Sequence, residues 1–347
     1  MKKTAESVSP MHPDKICDRI SDAILDACLE QDPMSRVAIE TMGGHGIITI
    51  TGELTTKAYV DMRAIAKSIV GDKYGVQVNV VQQSPEIANG VDTGGAGDQG
   101  IMVGYACNDN EDMIPQELYL ARSLCKFIYE KYPYDGKTQI TLDDEGKISV
   151  VVASFQNVSS LDLHNIVNEW LANDDLDINI TGIHCNPAGD WNIGGFEADT
   201  GLTGRKLMVD NYGPQIPIGG GCFSGKDATK VDRSGAYMAR KLAVYMLKLG
   251  KKDTEFINLM NPDLVELGGI VDVTVKLAYA IGVALPVMAI AEVKGINGYK
   301  TIDLFDMTFA GKTLTPKGII ESLDLRKPQF LKTAEWGHFG NGFTWDK

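Results

Sequence analysis

Three pairs of alternating apolar segments constrain this chain more than any other feature. RVAIET and GIITITGEL are joined through Gly43, Gly44 and Gly46, and KTQITLD and KISVVVASFQ flank the turn DDEG. A third pair, VDVTVKLAYAIGVALPVMAIAEV, breaks near Pro286. Side chains alternating every second residue suit a half-buried strand, and two such runs across a short turn can pair only antiparallel. Between the pairs the period becomes helical. Behind Pro13, which suits a first turn, Ile16, Ile20, Ala23, Ile24, Ala27 and Cys28 recur along 13–31. Helices are also predicted over 57–70, 115–131, 159–172, 231–249 and 316–323, with strands at VQVNVVQ, IMVGYAC and KLMVDNY. Hairpin, helix and strand thus recur about three times. The cadence predicts an α+β chain of antiparallel sheets rather than a doubly wound parallel one.

Charge narrows the function. The net charge of −13 repels nucleic acid, so no nucleic-acid partner is expected. No apolar run approaches a membrane span and no apolar leader opens the chain, which predicts a cytoplasmic protein without membrane contact. The 6 cysteines are scattered without a C-x-x-C pair, as reduced thiols would be, and a zinc site is not expected. In this acidic background four basic residues, Arg205, Lys206, Lys226 and Lys230, gather among glycines. A local positive pocket of that kind is expected to hold an anion.

The stretch GGGCFSGKDATKVDR (219–233) completes G-x-x-x-x-G-K from Gly220 to Lys226. A nucleotide-binding P-loop would continue with Ser or Thr, whereas Asp227 follows here, and the preceding PQIPIGG is a poor strand. Glycines still allow close backbone approach to a ligand, and Lys226 and Lys230 are one helical turn apart near the start of a helix, where anions are favoured. Asp232 could hold magnesium there. GGFEADTGLTGRK (194–206) sets Asp199 among glycines and ends in Arg205 and Lys206, a planar fork beside a point charge. Near the N-terminus, ESVSPMHPDKICDRISD carries Glu6, His12, Asp14, Lys15, Asp18 and Asp22. Asp14, Asp18 and Asp22 recur every fourth residue and share a helical face, which for Asp18 and Asp22 is expected to be solvated. Asp98, in GGAGDQG, could bind an amine, with a turn-forming role as the default. No Ser-His-Asp order, H-E-x-x-H or activated cysteine is evident. Cations, a few carboxylates and glycine loops suit electrostatic phosphate chemistry better than nucleophilic catalysis.

Taken together, ESVSPMHPDK, GELTT, GAGDQG, GGFEADTGLTGRK, GGGCFSGKDATKVDRS, YAIGVALP and WGHFG resemble the S-adenosylmethionine synthetase (methionine adenosyltransferase) family, in the family's order and over almost the whole chain. The resemblance implies three related sheet-plus-helix domains with pseudo-threefold symmetry, placed near 1–90, 96–190 and 193–340, with strands open to exchange between them. It implies a homodimer with active sites between subunits, pairing of dimers into tetramers being left open. The implied reaction joins the sulfur of L-methionine to C5′ of ATP and then hydrolyses the released triphosphate to pyrophosphate and phosphate. His12, Lys137, Arg205 and Lys226 would be catalytic. ATP would be held by these with Asp135, Asp190, Trp191, Asp199, Lys206 and Cys222. Methionine would be held by Glu53, Gln83, Asp98, Asp199 and Lys230. Asp14 and Asp232 would hold two Mg2+ ions, and Glu40 one K+.

The chain departs from the family pattern in places. Much of the acidic insert before GAGDQG is missing between Asp92 and Gly95, where the family carries a mobile loop over the site, so gating and product release are open. Asp190 stands where Arg is common, Leu285 where Glu is frequent, and Cys222 where a small Ala is usual. Two rival readings are an ATPase or triphosphatase that has lost methionine coupling and a non-catalytic partner subunit. The retained Glu53, Gln83, Asp98 and Lys230 argue against the first, and His12, Asp14, Lys137 and Lys226 against the second.

Overall fold

The computed structural model describes residues 1–82, 94–172, 176–249, 262–306 and 314–347. Its strands are β1 (Lys3–Val8), β2 (Arg36–Gly44), β3 (Ile47–Thr55), β4 (Gly75–Val81), β5 (Gly100–Cys107), β6 (Gly136–Leu142), β7 (Ile148–Phe155), β8 (Ile178–Cys185), β9 (Gly201–Leu202), β10 (Ile270–Tyr279), β11 (Met288–Gly295) and β12 (Gly298–Asp303). Its helices are α1 (Pro13–Gln31), α2 (Met62–Val70), α3 (Gln116–Lys131), α4 (Ser160–Leu171), α5 (Leu207–Asp210), α6 (Val231–Leu249), α7 (Pro316–Leu323) and α8 (Thr333–Trp336).

The three alternating pairs are the hairpins β2–β3, β6–β7 and β10–β11, and each forms the middle of a four-stranded sheet. The orders are β4-β3-β2-β9, β8-β7-β6-β1 and β12-β11-β10-β5. One edge of each sheet comes from a distant part of the chain. β1 joins the second sheet, β5 the third and β9 the first, so the exchange closes on itself. α1 packs on β2 and β9, α3 on β1 and β6, and α6 on β5 and β10. Each sheet therefore has one long helix in an equivalent place. α6 lies so close to β5 that a Cβ on Gly104 would fall 2.0 Å from the Ala239 backbone. One apolar core joins the first and third sheets, and a second fills the middle unit around Leu124, Ile140 and Phe155.

Three expectations need correction. The sheets are not wholly antiparallel: β3–β4 and β7–β8 run parallel, because α2 and α4 carry the chain back to the same end before the next strand. KLMVDNY is not a strand. It forms the turn of helix α5, in which Asp210 N–H donates to the Lys206 carbonyl at 2.8 Å. The edge strands β1 and β9 were not recognisable, since neither has an alternating apolar run of its own. The predicted helix over 57–70 begins only at Met62, after its N-cap Asp61.

Candidate active site

The site is built around the N-terminal half of α1. His12 is the N-cap, and its Nδ1 accepts the Asp14 N–H at 3.2 Å. That bond fixes the tautomer, leaving Nε2–H to donate outward. Burial, followed by the nearby Lys206, lowers the His12 pKa to about 4, so the ring is neutral at physiological pH. Asp14 is buried and accepts the Leu202 N–H at 3.0 Å and Lys206 Nζ at 2.6 Å, with Arg205 Nε at 3.4 Å. Burial alone would raise its pKa, but the Lys206 and Leu202 hydrogen bonds outweigh that and hold it below the ordinary value.

The face bearing Asp18 and Asp22 is not solvated, contrary to the sequence expectation. Asp18 is 1% exposed and Asp22 fully buried. Spacing along a helix fixes which residues share a face but not what covers it, and here glycine loops bring their N–H groups to it. Asp18 accepts the Gly204 N–H at 2.8 Å, and Asp22 accepts the Gly225 N–H at 2.8 Å and a two-pronged contact from Arg233 at 2.7 and 2.9 Å. One turn further, Asp26 accepts the N–H groups of Gln329, Phe330 and Leu331 at 2.9–3.0 Å. The helix is a ladder of carboxylates, each holding one loop. Burial pushes Asp18 up to about 7.

Lys15 extends the ladder. It is buried, donates to both Asp210 oxygens at 2.7 Å and reaches Asp18 at 3.2 Å. Sequence inspection gave Asp210 no role.

The near-P-loop stretch serves a different geometry. β9 covers β2 only at Met42 and Gly43, and the open remainder of that edge is taken by Gly225–Asp227. Ile39 N–H donates to Gly225 O at 3.0 Å, Asp227 N–H to Val37 O at 3.0 Å, and Val37 N–H to Asp227 Oδ1 at 2.7 Å. Gly225 has φ +80° and passes so close to Ile39 that a Cβ would lie 1.9 Å from its carbonyl oxygen. Asp227 follows the lysine because it ties the loop to the sheet, and it also accepts Lys230 Nζ at 2.5 Å. Asp232, in the first turn of α6, accepts Lys226 Nζ at 2.6 Å and the Gly221 N–H at 3.0 Å.

The second sheet brings Lys137, paired with Glu6 across β6 and β1 at 3.2 Å, and Asp135, which accepts the Gly195 N–H at 2.8 Å. Burial raises the Asp135 pKa. Lys137 and Asp199 are close enough to His12 to act on its charge, so strands and loops from all parts of the chain meet there. Asp199 itself accepts the Thr200 N–H. Trp191 Nε1 donates to Asn186 Oδ1 at 3.2 Å, while Asp190 accepts both N–H and hydroxyl of Ser160. Asp190 thereby caps the start of α4. Cys222 lies against Gly204 and donates its thiol to Ser224 O at 3.4 Å.

Not every expected residue joins this group. Glu40 and Glu53 lie exposed on β2 and β3, and neither makes a hydrogen bond or ion pair to the cluster. Asp98 accepts the Gln99 N–H at 2.7 Å, the turn-forming role. Gln83 and Asp92 lie outside the described residues. Among the described residues no three His, Cys, Asp or Glu side chains gather to hold a metal. Asp14 and Asp232 each offer one carboxylate beside cations that can bind phosphate. That donor set fits Mg2+, which commonly takes one or two carboxylates and completes its shell with phosphate oxygens and water.

Comparison with known proteins shows the family. Family descriptions of the S-adenosylmethionine synthetase N-terminal, central and C-terminal domains match residues 1–86, 93–191 and 193–347. The chain is 40% identical to an S-adenosylmethionine synthase of Sulfurovum sp. (strain NBC37-1), covering 99% of this chain and 95% of that one. A Helicobacter hepaticus S-adenosylmethionine synthase is 39% identical at the same coverage. A solved structure described as an unusual S-adenosylmethionine synthetase from Campylobacter jejuni superposes with a TM-score of 0.82 at 30% identity, over 100% of this chain and 96% of that one. Matches to all three domains, in order and at this identity, leave one conclusion: the chain belongs to the S-adenosylmethionine synthetase family.

Proposed function

We propose that this chain makes S-adenosylmethionine from ATP and L-methionine and then hydrolyses the released triphosphate to pyrophosphate and phosphate. The observation that carries the reading is the pairing of every cradle cation with a carboxylate. Lys206 and Arg205 lie on Asp14, Lys226 on Asp232, Lys230 on Asp227 and Lys137 on Glu6. A magnesium polyphosphate can exchange partners with two of these pairs, Lys206–Asp14 and Lys226–Asp232, the lysines turning to phosphate and the carboxylates to metal, so that neither charge of either pair is left unpaired.

The methionine sulfur attacks C5′ and the C5′–O bond breaks, its electron pair leaving on the triphosphate. A thioether has no proton to lose, so no general base is required for this step. Barrier lowering comes from positioning and from stabilising the departing anion. His12 donates Nε2–H to the phosphate chain next to C5′, and Lys137, Arg205, Lys206 and Lys226 neutralise the rest. Asp14 and Asp232 would each hold a Mg2+ that, when bound, offsets charge on the leaving group, and Glu40 would hold K+. Asp135, Asp190, Trp191, Asp199 and Cys222 complete the ATP contacts, Trp191 with its ring against adenine. Glu53, Gln83, Asp98, Asp199 and Lys230 take methionine.

Glu53 makes no hydrogen bond or ion pair to the phosphate cluster and lies on the exposed face of the first sheet, which toward its other end carries the exposed apolar Met42, Ile47 and Leu202. This supports a homodimer in which each site draws Glu53 from the other copy. The domains are assigned as 1–90, 96–190 and 193–340, each lending an edge strand to another, and the enzyme is placed in the cytoplasm.

The test is incubation with ATP, methionine, Mg2+ and K+, with S-adenosylmethionine followed by mass spectrometry and phosphate and pyrophosphate assayed separately. Equal yields of all three, absent without methionine, are expected. Phosphate release that ignores methionine would refute the reading.

A further inference from the structure

We infer that Lys15, Asp18 and Asp210 form a positioning cluster that fixes Arg205 and Lys206 beside His12, and that Lys15 is not itself a phosphate ligand. The inference rests on the assignment of Arg205 and Lys206 to the polyphosphate.

Lys15 immediately follows the His-Pro-Asp of the cradle, and its charge suggests a phosphate contact. Its side chain is 1% exposed and fully engaged by carboxylates, two contacts of 2.7 Å to Asp210 and one of 3.2 Å to Asp18. Asp18 through its carboxylate and Asp210 through its backbone hold the two ends of one segment. Asp18 accepts the N–H of Gly204, and Asp210, at the other end, donates its own N–H to the Lys206 carbonyl at 2.8 Å. Lys15 links the two, closing a ring through Asp18, Gly204, Lys206 and Asp210. Arg205 and Lys206 lie inside the pinned span.

The segment also has nothing to retreat into. Gly204 has φ +81°, and a Cβ there would lie 2.6 Å from Cys222 Cβ and Sγ. On its other side, Leu202 N–H is held by Asp14, and Thr203 Oγ1 meets Ser21 Oγ at 2.9 Å. Successive residues 202, 203 and 204 are thus each fixed to α1, the helix that carries His12 at its tip. A buried ion cluster adds little to stability compared with apolar packing. Here it sets the distance between a neutral donor and two cations, which electrostatic catalysis requires to be pre-set.

The test measures binding of inorganic tripolyphosphate with Mg2+ to the full chain by calorimetry. The variants are Asp18→Ala, Asp18→Asn, Arg205→Ala and the double Asp18→Ala/Arg205→Ala. Asp18→Ala should weaken binding about tenfold, the scale of one lost buried hydrogen bond. Asp18→Asn keeps an oxygen acceptor for the Gly204 N–H but turns its amide NH2 toward Lys15, so its loss should fall between the parent and Asp18→Ala. The double variant should lose less than the product of the single losses, because a misplaced Arg205 cannot be lost twice. Asp210→Ala keeps the backbone bond to Lys206 but cuts the tie of that end to Lys15, and it repeats the test should Asp18→Ala fail to fold. Equal damage from Asn and Ala at 18, or losses that multiply, would overturn the inference. A parent protein that does not bind tripolyphosphate would instead overturn the assignment of Arg205 and Lys206.

Discussion

Replacing Asp227 with alanine tests whether the glycine-rich stretch is held by the sheet it borders. Asp227 is 2% exposed and Val37 fully buried. Its carboxylate accepts Val37 N–H at 2.7 Å, Thr229 N–H at 2.9 Å and Lys230 Nζ at 2.5 Å. Removing it strands the Val37 N–H on the part of β2 that β9 does not reach. An orphaned buried donor costs about 1–3 kcal/mol, and bonds to a charged acceptor contribute about 1.5–3 kcal/mol. Allowing for overlap between these terms, Asp227→Ala should destabilise by roughly 3–5 kcal/mol. Asp227→Asn retains an acceptor for Val37 but loses the Thr229 N–H bond and the Lys230 ion pair, costing about 2 kcal/mol. Urea unfolding followed by tryptophan fluorescence reads both, with the denaturant slope compared across variants. An alanine variant within about 1 kcal/mol of the parent, or an asparagine variant as damaged as alanine, would refute the account of why aspartate follows the lysine.

Three further outcomes are expected. His12, followed by NMR, should titrate near 4, because burial and Lys206 depress it. A folded pKa below the unfolded value of 6.5 means its stabilisation is complete above pH 6.5 and lost as pH falls through about 4, so His12→Asn should flatten that part of the stability profile. Burial raises the Cys222 thiol well above its ordinary pKa, so native protein at pH 8 should label with iodoacetamide there far more slowly than unfolded protein; rapid native labelling would contradict the packing against Gly204. Lys226→Met should lower kcat/KM for ATP about a hundredfold with the methionine KM little changed, as loss of one electrostatic contact to the leaving group would.

The hairpins and long helices were legible because period two and period 3.6 are written directly into buried faces, as at Ile16, Ile20 and Ile24. The cluster of Arg205, Lys206, Lys226 and Lys230 was legible from its glycines, whereas Lys137 entered only through the family resemblance. What covers a face was not. Asp18 and Asp22 look the same in sequence whether they meet water or the N–H groups of Gly204 and Gly225, since that depends on loops nearly two hundred residues away. β1 and β9 escaped for a similar reason. Their pairing with β6 and β2 is decided by the partner edge, and a two-residue strand has no period to read.

The mutual loan of edge strands has a consequence for how the chain is made. β1 leaves the ribosome first, yet Ala5 must wait for Ile140 before its edge is paired. The first sheet in turn stays open beside Met42 until Leu202 has been synthesised. During that interval the nascent chain carries exposed strand edges of the kind that recruit stray partners. No third of the chain cut out alone has a complete sheet, because each lends an edge strand to another third and borrows one in return. Evolution can therefore alter the loops of one third freely, but it must inherit the three thirds together.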